Sequence, residues 1–93
     1  MRRTKIVCTL GPASGTKEKV AALVRAGMNC ARLNFSHGDH ASHAAMAQMV
    51  RQAAREARQP MAILADMQGP KMRIGEFASG PIELSPGDRF ALT

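Results

Sequence analysis

Short apolar runs and stretches of helical period alternate along the first three-quarters of this chain. Thr4–Leu10 (TKIVCTL) is rich in β-branched and apolar residues and is broken by Gly11-Pro12, which predicts a buried strand closed by a tight turn. A helix should start near Thr16, with Ser14 or Thr16 as its cap, Val20, Leu23 and Val24 as its apolar stripe and Gly27 as its C-terminal stop. Asn29–Phe35 predicts a second strand, and Ser36-His37-Gly38-Asp39 a polar turn. A longer helix is then expected from about His40 to Arg58. It buries Met46, Met49, Val50, Ala53 and Ala57, turns Gln48, Arg51, Gln52, Arg55 and Glu56 outward, and is ended by Pro60. Met61–Ala65 predicts a third strand that delivers Asp66 into a loop containing Gly69-Pro70.

This order is βαβαβ, with strand starts about twenty-five to thirty residues apart, the spacing of right-handed parallel crossovers. The fold class is therefore α/β with a parallel sheet. Beyond Gly75 the texture changes: Glu76–Thr93 has no helical period, and its runs PIEL and RFALT flank Ser85-Pro86-Gly87-Asp88, a type II turn in its residue order. That stretch reads as the opening of a small antiparallel domain. Three strands and two helices cannot cover both faces of a sheet, so the chain reads as a piece of something larger.

Composition narrows the function classes. With 93 residues, three Phe and neither Trp nor Tyr, any core rests on Ala, Met, Val, Leu and Ile. A domain this small buries only roughly 60–65% of the surface its unfolded chain exposes. The net charge of +6 points to an anionic partner. Arg51, Arg55 and Arg58 fall on one side of a helix, but no aromatic side chains are interleaved for base stacking, so a solvated face is expected there and no nucleic acid. Cys8 and Cys30 fall in predicted buried strands and do not make a disulfide framework, which fits a reducing cytoplasm. No apolar run approaches the ~18 residues of a membrane span, and no targeting segment follows the N-terminal arginines.

The chemistry concentrates where strands end. Period-2 alternation puts Arg32, Asn34 and Ser36 on one face of the second strand and Ala31, Leu33 and Phe35 on the other. A polar row in a buried strand is costly unless a phosphate-bearing ligand or a cation answers it. A planar guanidinium on a strand end can take a phosphate bidentately, and its alternative is a surface ion pair with an acid. Asn34, Ser36 and Asp66 offer the hard oxygens that alkali and alkaline-earth ions prefer, while capping of the next helix is the competing role for Ser36. His37, His40 and His43 recur every three residues but lack a fourth ligand, so polar histidines are expected rather than a metal cluster.

Three strings, TKIVCTLGPAS, GMNCARLNFSHG and DMQGPKMRIG, occur in order and resemble the N-terminal part of the pyruvate kinase family. The resemblance covers Arg2 to Thr93, about the first fifth of a family chain. It implies a (β/α)8 TIM barrel with a small β domain inserted after the third strand. Residues 1–75 would then be three strands and two helices of the barrel, and residues 76–93 the start of the inserted domain. The implied reaction is phosphoryl transfer from phosphoenolpyruvate to ADP, giving pyruvate and ATP, in a homo-oligomeric parent.

By the same resemblance, Arg32 holds the substrate phosphate, and Arg73 and His37 lie at the nucleotide. Asn34, Ser36, Asp66 and the carbonyl of Met67 match ligands of a potassium ion. Potassium-dependent members carry Thr and Glu where this chain has Met67 and Lys71, so the ammonium of Lys71 is expected to stand in for potassium near Asp66. The ligands of the essential magnesium and the family's catalytic lysine lie outside this chain, which is expected to be inactive alone. The alternative is a free-standing phosphate- or nucleotide-binding βαβ module without catalysis.

Overall fold

The computed structural model describes residues 2–92, so Met1 of the expected barrel segment and Thr93 of the expected start of the β domain lie outside the description. Strands β1 (Val7–Leu10), β2 (Cys30–Asn34) and β3 (Ala62–Asp66) form one sheet in the order β1-β2-β3, all parallel. Between them run α1 (Lys17–Ala26) and α2 (His40–Ala57), and a short 3-10 turn, Pro12–Ser14, bridges β1 and α1. The βαβαβ reading is thus the observed order. The strands are shorter than the apolar runs, although Ile6 already pairs: its carbonyl accepts from the Asn29 and Cys30 amides at 2.9 and 3.1 Å. Asp66 is the last residue of β3, not the first of a loop, and lies opposite Asn34.

Local sequence explains the helix ends. Thr16 caps α1, its hydroxyl accepting from the Lys19 amide at 3.2 Å, while the Ser14 hydroxyl is taken up by the Gly11 amide at 2.9 Å. Gly27 ends α1 in the left-handed region, donating to the carbonyls of Leu23 and Val24. At the start of α2 the cap is Asp39, not Ser36. Its carboxylate accepts from the Ser42 amide at 2.7 Å, and the Ser42 hydroxyl accepts from the Asp39 amide at 3.0 Å. The other end of α2 stops at Ala57, before Pro60 can act, because Arg58 turns left-handed (φ 53°) and its amide returns to the Ala54 and Arg55 carbonyls.

Both helices pack together and bury Val20, Val24, Val50 and Ala53 against Leu10, Ala31 and Leu33 of the sheet, with Met28 beside them. Cover on one face only corrects the expectation of buried strands. In β1 the alternate residues Val7 and Thr9 are exposed, and in β2 only Ala31 and Leu33 are fully buried. Cys8 and Cys30 are likewise half-buried and free. Cys8 sits opposite Ala31, and Cys30 opposite Val7, so strand alternation puts the two thiols on opposite faces.

Residues 67–92 form no helix or strand and are exposed throughout. Their turn is nevertheless made: the Asp88 amide donates to the Ser85 carbonyl at 3.1 Å, with Gly87 at the positive φ of 91° that the third position of a type II turn requires. This arm raises the radius of gyration to 18.4 Å, against about 12 Å for a compact chain of this length.

One-sided burial gives a direct test by urea unfolding. Val50→Ala removes a fully buried side chain and should lower stability by about 2 kcal/mol. Leu64→Ala, on the open face at 44% exposure, should change it by no more than ~0.5 kcal/mol.

Candidate functional site

The carboxyl ends of all three strands lie on one rim, and the face without helices carries the polar side chains there. Thr9 pairs in register with Arg32, and Arg32 with Leu64, while Asn34 pairs with Asp66. Because neighbours in register point the same way, Thr9, Arg32, Asn34 and Asp66 share that face. Of the expected polar row, Arg32 and Asn34 lie on this face, half-buried because no layer of the described residues covers it, while Ser36 lies beyond β2 in the turn.

Arg32 is held from two sides. Its Nε donates to Asp66 Oδ2 at 3.1 Å, its Nη2 makes a close ion pair with the same oxygen, and its Nη1 donates to Thr9 Oγ1 at 3.0 Å. The ion-pair alternative for this arginine is therefore what the structure shows, with side-chain exposures of 31% for Arg32 and 45% for Asp66. The sequence places Thr9 at a strand end but gives it no partner. The only sequence signal for it is its place at the end of β1, aligned with the guanidinium one strand over.

The turn after β2 is built by a short-range bond within it and a cross-strand bond at its start. Asn34 Oδ1 accepts from the Ser36 amide at 3.0 Å, and the Phe35 amide donates to the Asp66 carbonyl at 3.0 Å, continuing the ladder past β2. His43 Nε2 meets the His37 carbonyl at 2.6 Å, and its ring stacks on Phe35 with centroids 4.3 Å apart. Gly38 has φ 75°, and a Cβ there would lie 2.9 Å from Ser42 Oγ, so a side chain here would be strained and would displace the capping hydroxyl. The Asp39-x-x-Ser42 spacing was the sequence signal for the cap.

Beside the turn opens a cleft of about 650 Å³, lined by the apolar side chains of Leu33, Met46 and Met49 and by the polar groups of Asn34, His37 and His43. Not every expected residue converges here. Among the described residues the Arg32–Asp66 pair is the one salt bridge, so Lys71 is not paired with Asp66. Met67, Lys71 and Arg73 lie on the exposed arm, and Arg73 borders a separate depression with Phe77 and Phe90. No group of three or more His, Cys, Asp or Glu among the described residues is placed to hold a metal ion. No helix among them is long and apolar enough to cross a membrane.

The Asp39 carboxyl is held below its ordinary value, first by the Ser42 amide and then by the Ser42 hydroxyl, with His43 nearby adding to the effect. A lowered value in the folded state means that its contribution to stability is complete above the ordinary carboxylate range and is lost as pH falls through the lowered value. Asp39→Asn keeps a capping oxygen that does not titrate. In circular dichroism between pH 7 and pH 2, the variant should therefore lose less helix in acid than the parent chain.

Comparison with known proteins gives a consistent result. The family description "Pyruvate kinase, barrel domain" matches residues 1–93. The chain is 52% identical over 92 residues to a pyruvate kinase of Mycobacterium intracellulare, spanning 99% of this chain and 20% of that protein. It is 51% identical over 94 residues to pyruvate kinase 2 of a Synechocystis strain, spanning 99% of this chain and 16% of that one. Among solved structures, a pyruvate kinase from Cryptosporidium parvum superimposes with a TM-score of 0.77 at 42% identity, over 85% of this chain and 16% of that one. The chain thus spans a fifth or less of these relatives.

Proposed function

The chain belongs to the pyruvate kinase family, and from that premise we propose that it opens a barrel whose carboxyl rim transfers a phosphoryl group from phosphoenolpyruvate to ADP. Its three parallel strands and two helices are part of a (β/α)8 barrel. The observation that carries the reading is the convergence of Thr9, Arg32, Asn34 and Asp66 at one rim, where parallel α/β folds gather their ligands. Phosphoryl transfer depends mostly on positioning and charge neutralisation, and both begin with a guanidinium whose direction is already set. Asp66 and Thr9 set it, and the phosphate of phosphoenolpyruvate then takes the remaining N–H groups of Arg32.

The nucleotide is assigned to the cleft beside His37, with Arg73 brought to its phosphates when residues 67–75 fold onto the rim of the complete barrel. Residues 76–93 then begin an inserted β domain, a reading supported by the formed turn at 85–88 and by the edge-to-face pair of Phe77 and Phe90, 6.0 Å apart. Magnesium, which neutralises phosphate charge in such reactions, is assigned to ligands outside this chain. For a monovalent cation the donor chemistry is suitable: Asn34, Ser36, Asp66 and the Met67 carbonyl supply hard oxygens, and Asn34 and Asp66 are register partners. The Asp66 carboxylate is however already faced by one cation, Arg32, and Lys71 lies within a few residues along the chain. Lys71 is therefore proposed to take the place of potassium.

The test is a chimera in which this chain replaces the matching segment of the Mycobacterium intracellulare relative. The chimera should make pyruvate, and the 93-residue chain alone should not. Arg32→Ala should cost on the order of 2–5 kcal/mol in phosphoenolpyruvate kcat/KM, because it removes the anion's partner and strands the Asp66 carboxylate. An active chimera indifferent to Arg32→Ala would reject the site. An inactive chimera that still binds phosphoenolpyruvate would favour a binding module instead.

The cation assignment has its own test. The chimera should work without potassium, whereas Met67→Thr with Lys71→Glu should make it potassium-dependent. Equal rates with and without the ion in that double variant would reject the role given to Lys71.

A further inference from the structure

His43 has no part in the function proposed above, yet three residues of the β2–α2 turn, Phe35, His37 and Gly38, rest against its ring. It sits in the first turn of α2, where its amide donates to the Asp39 carbonyl at 3.1 Å, so its backbone is fixed by the helix. From that fixed point the imidazole reaches back across the turn. Its Nε2 lies 2.6 Å from the His37 carbonyl oxygen. A carbonyl can only accept, so Nε2 must carry the proton, which settles the tautomer of the neutral ring. The same ring stacks on Phe35 at 4.3 Å with planes 24° apart. A Cβ on Gly38 would approach Nε2 to 3.3 Å, so the third residue of the turn is fitted against the imidazole as well.

We infer that His43 is the positioning residue of the nucleotide cleft, bracing Phe35, His37 and Gly38 so that the 35–38 backbone keeps its place in the cleft wall. Otherwise Phe35 is held to β3 by its amide bond to the Asp66 carbonyl at 3.0 Å, and the Asp39–Ser42 cap fixes the far end of the turn. Between them run the bonds from the Ser36 amide to Asn34 Oδ1 at 3.0 Å and from the His37 amide to the Asn34 carbonyl at 3.3 Å. None of those bonds ties the His37 carbonyl or the Phe35 ring to α2, and His43 does both. His37, Gly38 and His43 line the same cleft, so loss of the brace alters the cavity directly. Arg32 is oriented separately, by Asp66 and Thr9, and does not depend on it. This inference rests on the proposed placement of the nucleotide in that cleft.

The chimera described above separates the two substrates. His43→Ala should raise the KM for ADP on the order of tenfold, the worth of one well-made hydrogen bond and a ring contact, with kcat and the KM for phosphoenolpyruvate little changed. His43→Gln, which retains an N–H donor, should recover most of the loss, and His43→Phe, which retains only the stack, should not. An unchanged ADP KM in His43→Ala, or an equal rise in both KM values, would overturn the assignment. The brace itself is read on the 93-residue chain by ¹⁵N NMR. The His43 ring should show the Nε2–H tautomer, and His43→Ala should lower the order parameters of residues 35–38 but not those of Val50 and Ala53. Unchanged order at 35–38 would overturn the brace whether or not the chimera turns over, whereas an inactive parent chimera counts against the proposed function alone.

Discussion

Cover on a single face of a parallel sheet is the constraint from which the other features follow. Both helices pack on the side of Leu10, Ala31 and Leu33, and among the described residues no layer lies over the side bearing Thr9, Arg32, Asn34 and Asp66. Strand alternation then does the sorting, since every second side chain must go to the uncovered face. Apolar residues there, such as Val7 and Leu64, remain open to solvent. Of the polar ones, Thr9, Arg32 and Asp66 pair across the strands and Asn34 Oδ1 takes the Ser36 amide, and no buried side-chain polar atom among the described residues lacks a hydrogen-bond partner.

The Arg32–Asp66 pair shows what such pairing contributes. Both side chains are partly exposed, and an ion pair in that setting adds little to folding. Its consequence is directional. With Nε and Nη2 on one carboxylate oxygen and Nη1 on a threonine hydroxyl, the guanidinium plane is fixed before any anion arrives. A rim built this way enters binding with part of its ordering already done.

The turn after β2 reaches comparable order by other means. A reciprocal cap between Asp39 and Ser42, a glycine at positive φ and an imidazole reaching back from α2 hold a segment in which His37, Gly38 and Asp39 are otherwise exposed. Residues 67–92 have no comparable support. Ile74, Leu84 and Leu92 are well exposed there, so the arm carries apolar surface that nothing among the described residues covers. Lys71 and Arg73, expected at the rim from the resemblance, belong to that arm, and neither makes a salt bridge to Asp66.

Local periodicity was enough to determine the order of strands and helices, the apolar stripes of α1 and α2, the Thr16 cap, the Gly27 stop and the 85–88 turn. Each of these depends on residues within a few positions of one another. The two faces of β2 were legible for the same reason, and so was the separation of Arg32 and Asn34 from Ala31 and Leu33. Burial was not legible, because whether a strand face is covered depends on where distant helices land, and both landed on one side. The partners of Arg32 were not legible either: Thr9 and Asp66 lie 23 and 34 residues away, and only the register of β2 with its two neighbours brings them to the guanidinium.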